Sequence, residues 1–281
     1  MARMPVNGIR LNVEVSGSGP ALTLLHGFTR DAREWEPLLP EWPGFRLVSV
    51  DLVGHGRSDA PPDASRYTMA HAADDLAAVL DALGIGSTAL LGYSLGGRVA
   101  LHFALSHQQR LWALVLESAS PGIADPAERA ARRQSDAELA DSILRDGLEA
   151  FVDGWQAQPL FASQSRLPAA VLAGERRRRL ENSPVGLANS LRGMGAGAQD
   201  CLLPRFTELR VPALFVAGAL DGRYAALARS MAGEAAGSEH RIIEGAGHTT
   251  HLERPREFAA AVGEFLGRHA PQLQDKGLVS K

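Results

Sequence analysis

A serine flanked by glycines can be turned into a nucleophile or a base, and Gly92-Tyr93-Ser94-Leu95-Gly96-Gly97 presents one. The hexapeptide follows the apolar run 88–91 and precedes a helical pattern that starts at Arg98. In Gly-x-Ser-x-Gly the chain leaves a buried strand, turns sharply and enters a helix, so the hydroxyl stands at the strand's carboxyl end. The turn is tight enough to demand small residues on both sides. A serine hydroxyl is barely basic at neutral pH. It needs an adjacent base, and that base needs an orienting acid. Such elbows are completed in chain order by Asp or Glu and then by His, each on a loop after a strand. Asp221, after the apolar segment 211–218, and His248, in Gly245-Ala246-Gly247-His248 after segment 240–244, satisfy both order and placement. Asp200 precedes its strand and is the poorer acid. His251 reads as supporting structure, and His55, in the glycine-rich loop 51–58, as structural.

A developing negative charge needs donors. The loop His26-Gly27-Phe28-Thr29, after the run 21–25, is placed to supply one backbone N–H, and the residue after the serine supplies another. Phe28 and Leu95 are the expected pair.

These groups require a scaffold. Residues 9–15 alternate like an edge strand, while 21–25, 46–50, 88–91 and 111–116 are short continuous apolar runs, as expected of parallel strands covered on both faces. Residues 69–83 read as a helix ending at Gly84. After Ser120-Pro121-Gly122 the pattern turns helical, charged and strand-free until about Pro204. The expected organisation is therefore an α/β core of residues 1–121 and 204–270, a helical cap insertion over 122–203, and a frayed tail over 271–281.

With 281 residues, 45% of them hydrophobic, the chain can bury a large core. A formal net charge of -3 gives no reason to expect nucleic acid or an anionic membrane as partner. No apolar run approaches a membrane span, and the first residues lack the apolar core of a signal peptide, so a cytoplasmic location is expected. The single Cys201 excludes an internal disulfide and reads as a buried or inert thiol. Only Lys276 and Lys281 among the 29 basic residues are lysine, leaving 27 arginines, so an arginine cluster is weaker testimony to function here than usual.

From His26-Gly27 through 51–56 and 92–97 to Asp221 and His248 the chain resembles the α/β-hydrolase superfamily. The implied architecture is a mostly parallel sheet with helices on both faces and an inserted helical cap. More narrowly it is similar to the 2-succinyl-6-hydroxy-2,4-cyclohexadiene-1-carboxylate synthases of menaquinone biosynthesis. That likeness rests on Gly27-Phe28-Thr29 with Trp35, on 92–98, and on segments 127–136, 155–161 and 187–195. Val53, where such proteins usually carry proline, is a departure that touches loop stiffness.

The resemblance implies a lyase that expels pyruvate from a small-molecule polycarboxylate with three carboxylates, using no metal or organic cofactor. Ser94 would act as the base, held reactive by His248 and Asp221. Three carboxylates call for guanidinium groups, which bind them with paired hydrogen bonds. Arg98 lies one helical turn beyond Ser94. Arg132 is the ligand the resemblance implies on the first cap helix, and Arg179 the choice from the run Arg176-Arg177-Arg178-Arg179. Tyr93 and Trp155 are candidate walls against the ring. The rival readings are a serine esterase or carbon–carbon bond hydrolase, which would share the triad, and a small-molecule receptor, which would not need it. A haloalkane dehalogenase is disfavoured because its elbow carries aspartate.

Overall fold

The computed structural model describes residues 2–272; the rest of the expected tail, 273–281, lies outside the described residues. Eight strands form one sheet: β1 (Ala2–Val6), β2 (Ile9–Ser16), β3 (Ala21–Leu25), β4 (Arg46–Val50), β5 (Thr88–Tyr93), β6 (Leu111–Glu117), β7 (Ala213–Gly218) and β8 (Glu239–Ile243). Their order is β1-β2-β4-β3-β5-β6-β7-β8. β2 pairs antiparallel with β1 and β4, and every other pairing is parallel. Every residue of β3, β5 and β7 is buried, which explains why these strands read as unbroken apolar runs.

Residues 9–15 were expected at the sheet edge, and the structure corrects this. β1 covers β2 through a two-residue hairpin in which Asn7 (φ 44°) and Gly8 (φ 82°) both adopt left-handed conformations. Asn-Gly is the preferred pair for such a turn. β1 itself, with Arg3 and Pro5, carries too weak a strand pattern to be read alone.

Helices α1 (Met69–Ala82), α2 (Leu95–Ser106) and α7 (Gly222–Glu234) pack on one face of the sheet through Leu76, Val79, Val99, Phe103 and Met231. The other face is covered by α9 (Pro255–His269), with Phe258 and Phe265, and by a 3-10 segment, Ala32–Glu41, that inserts Trp35 and Leu38. The short helix α8 (Thr250–Glu253) precedes α9. Between β6 and β7 the chain makes α3 (Pro126–Asp146), α4 (Leu148–Gln156), α5 (Ala169–Leu180) and α6 (Pro184–Met194). Asp125 caps α3 by accepting from the Glu128 amide at 2.8 Å, with Pro126 in the first turn where its missing N–H costs nothing. These helices own a separate apolar cluster of Ala140, Ile143, Phe151, Val152, Leu187, Ala188 and Leu191, against which Phe28 packs from the loop after β3.

Candidate active site

Ser94 sits between β5 and α2 at φ 49°, ψ −105°, a left-handed conformation that L-residues adopt only under constraint. The constraint is visible on both sides. The Ser94 amide donates to the Glu117 carbonyl at 2.8 Å, and the Gly96 amide to the His26 carbonyl at 3.1 Å. A Cβ on Gly96 would fall on the carbonyl oxygens of Leu25 and His26, so only glycine lets α2 start this close to β3.

The Ser94 hydroxyl faces His248 Nε2 at 3.3 Å, and His248 Nδ1 donates to Asp221 Oδ2 at 2.8 Å. Asp221 follows β7 and caps α7, its Oδ1 accepting from the Tyr224 amide at 3.2 Å. The carboxylate is thereby fixed from behind while its other oxygen orients the imidazole. His248 is 2% exposed and stands edge-on to Tyr224 at 4.6 Å between centroids. The structure thus brings the three expected residues together in the required sequence of contacts. Asp200 lies elsewhere, on the surface with Arg129.

Phe28 and Leu95 both line the cavity above Ser94. Leu95 opens α2, where the first amides of a helix have no intrahelical acceptor. Among the described residues neither its N–H nor that of Phe28 is committed to a loop or side-chain acceptor. The loop carrying Phe28 is braced from below. Glu34 Oε2 accepts from the Gly27 amide at 3.1 Å, and Glu34 Oε1 meets His251 Nε2 at 3.1 Å. His251 Nδ1 donates to Glu117 Oε2 at 2.8 Å. Burial alone would lower the His251 pKa, but the two glutamates outweigh it and hold it at about 9. Burial likewise opposes ionisation of Glu34, yet the Arg30 and His251 charges bring it down to about 2. His251, expected as support, is thus an imidazolium tying the loop of His248 to the loop of Phe28. His55 is buried, and burial together with the nearby His26 lowers it to about 3, leaving it neutral.

The cavity is about 260 Å³ and is lined by Arg98, Arg132, Arg179, Tyr93 and Trp155, all five expected from the sequence. Arg98 Nη1 donates to the Met194 carbonyl at 2.7 Å and to Gln199 Oε1 at 3.1 Å, and burial lowers its pKa to about 10. Arg132 Nε donates to Asp136 Oδ1 at 2.8 Å, with its side chain 44% exposed. Of the four consecutive arginines only Arg179 reaches the cavity, where its Nε donates to Thr29 Oγ1 at 3.2 Å. Arg176 pairs with Asp153 outside, and Arg178 with Glu175. The Tyr93 ring lies beside His248 and edge-on to His251, its hydroxyl hydrogen-bonded to Thr249 Oγ1 at 2.8 Å. Trp155 stands edge-on to Phe28 at 5.2 Å.

Sequence reasoning missed Arg30, which lines the same cavity and is 5% exposed. Its spacing of four from Glu34 was the available signal, since the two form an ion pair at 2.9 Å. Tyr224 was also missed. Cys201 is half-buried rather than buried. Among the described residues no cluster of His, Cys, Asp or Glu could hold a metal ion, and no helix is long and apolar enough to cross a membrane.

Comparison with known proteins agrees with this geometry. A family model described as the alpha/beta hydrolase fold matches residues 20–255. A Bacillus subtilis protein, provisionally assigned as a 2-succinyl-6-hydroxy-2,4-cyclohexadiene-1-carboxylate synthase, is 43% identical over 92% of this chain and 96% of its own. A synthase of that name from Serratia proteamaculans is 34% identical over 88% of this chain and 93% of its own. The structure of MenH from S. aureus superposes with a TM-score of 0.88 at 33% identity, covering 93% of this chain and 99% of that one. With its serine elbow, its His248–Asp221 pair and a parallel sheet carrying both, the chain belongs to the α/β-hydrolase fold family.

Proposed function

We propose that the protein is a carbon–oxygen lyase that eliminates pyruvate from 2-succinyl-5-enolpyruvyl-6-hydroxy-3-cyclohexene-1-carboxylate, giving 2-succinyl-6-hydroxy-2,4-cyclohexadiene-1-carboxylate. The observation that carries this reading is the convergence of Arg98, Arg132 and Arg179 on the cavity that holds Ser94. An ordinary ester substrate gives no reason to line an active site with guanidinium groups, whereas a tricarboxylate does. The names of the synthases to which the chain is similar support the same reaction.

In this mechanism the Ser94 oxygen, relieved of its proton by His248, removes the ring proton next to the succinyl ketone. Asp221 stabilises the imidazolium that forms. The ketone oxygen gains enolate charge within reach of the Phe28 and Leu95 amides, which donate to a charge absent from the bound substrate. The electron pair returns from the enolate into a new ring double bond, the existing double bond shifts by one position, and the carbon–oxygen bond to the enolpyruvyl group breaks. The leaving enolate takes up a proton and tautomerises to pyruvate. Arg98, Arg132 and Arg179 hold the carboxylates, while Tyr93 and Trp155 flank the ring. Residues 122–203 act as a cap on a core of residues 1–121 and 204–270.

The test is pyruvate release from this substrate by wild type and Ser94→Ala, with nitrophenyl esters run in parallel. Serine-dependent pyruvate release, lost about 10⁴-fold or more in Ser94→Ala while substrate binding stays within a few fold, is the expected result. Rapid ester cleavage without pyruvate would make the protein a serine hydrolase of the same fold.

A further inference from the structure

Two guanidinium groups in the cavity wall are buried and incompletely satisfied. Arg30 is 5% and Arg179 1% exposed, and Arg30 Nη2 and Arg179 Nη1 are buried without a hydrogen-bond partner. A buried N–H left unpaired is costly, more so on a charged group. The remaining nitrogens face protein oxygens. Arg30 Nε pairs with Glu34 Oε1 at 2.9 Å and Arg30 Nη1 with Glu175 Oε2. Arg179 Nη2 lies 3.9 Å from the same Glu175 oxygen, and its Nε donates to Thr29. Glu175, itself 2% exposed, is shared by Arg30, Arg178 and Arg179, so one carboxylate serves three guanidinium groups.

We infer that Arg30 and Arg179, clamped side by side by Glu175, form a carboxylate-binding subsite in which one carboxylate of the substrate accepts from both guanidinium groups. Arg30 is then a specificity-determining residue alongside Arg98, Arg132 and Arg179. Glu175 is a positioning residue, fixing two guanidinium groups of residues that line the cavity. Burial, reinforced by the neighbouring Arg30 charge, lowers the Arg179 pKa to about 9, the direction expected of a cation short of anionic partners. The Arg30 guanidinium also lies 6.0 Å from the centre of the Tyr93 ring, beside the reacting serine, so an anion held there is anchored next to the chemistry.

The inference deepens the proposed function and rests on it, so the test separates the two. Succinate binding is measured by calorimetry at fixed ionic strength for wild type, Arg30→Met, Arg30→Lys, Arg179→Met and the Arg30→Met/Arg179→Met pair, with melting temperature as the folding control. Arg30→Lys keeps the charge that pairs with Glu34 and Glu175 but loses the forked donors, and guards against a methionine variant that does not fold. A subsite predicts succinate affinity about tenfold weaker in folded Arg30→Lys. It also predicts a double variant that loses less than the product of the single losses, because both groups grip one carboxylate. In turnover, KM rises more than kcat falls. Succinate affinity and KM unaltered in folded Arg30→Lys would overturn the subsite even if pyruvate release stands. Arg30-dependent succinate binding in a wild type that releases no pyruvate would uphold the subsite while refuting the proposed reaction.

Discussion

The cavity has two kinds of wall. On the sheet side, Ser94, Asp221 and His248 sit on the connections that follow β5, β7 and β8, and their positions follow from strand register and backbone conformation. On the other side, Arg132 and Arg179 come from helices inserted between β6 and β7, and their side chains are aimed by ion pairs and hydrogen bonds to Asp136, Glu175 and Thr29. Backbone conformation fixes Ser94, Asp221 and His248, whereas side-chain partners fix the guanidinium groups. Chemistry and binding should therefore be separable by substitution.

The largest effect should come from the sheet side. Asp221→Asn leaves the α7 cap and the geometry in place but no longer stabilises the imidazolium, so kcat falls about 10³- to 10⁴-fold with little change in KM, as single-turnover kinetics would show. A comparable rise in KM would break the division. Next comes Arg98→Met. Arg98 stands on α2, one turn past Ser94, yet binds as a member of the helical wall through Met194 and Gln199. Loss of its half-buried guanidinium should lower kcat/KM about 10- to 100-fold, mostly through KM. Arg132→Met should cost less, about three- to tenfold, because the side chain is half-exposed and solvent screens it. Equal kinetics for both variants and wild type would remove the anion-binding argument and leave the triad standing.

A further effect falls on stability rather than on kinetics. The folded pKa of His251 lies above its ordinary value of 6.5, at about 9. Its contribution is therefore complete below pH 6.5 and is lost as pH rises through 9. Thermal melts should show a loss on the order of 1–3 kcal/mol across that window. The slope should be flattened in His251→Gln. An unchanged slope would mean that the imidazolium between Glu34 and Glu117 is not what ties the two loops together.

The same division governs what could be read from the sequence. Ser94, Asp221 and His248 were legible because tight turns restrict residue type locally, and because β5 and β7, which carry the first two, are buried on both faces. The guanidinium wall was harder. Four consecutive arginines on α5 point in successive directions about 100° apart, and the helix has few apolar residues to set its phase; only Glu175 and Arg179 are buried along it. The resemblance supplied Arg179, and the contact with Thr29 explains why it, and not Arg178, reaches the cavity. Arg30 was passed over because it becomes a cavity residue only once Glu175, 145 positions away, is brought against it. β1 escaped because its evidence lay in the Asn7-Gly8 turn rather than in the strand itself.

Phe28 belongs to both walls at once: it stands on the loop after β3 and lines the cavity that holds Ser94, while its ring packs edge-on against Phe151 and Trp155 of α4. Grafting a different set of helices between β6 and β7 would remove the contacts that hold this ring. A new set of helices there has to be matched to this single phenylalanine if the loop after β3 is to keep its place.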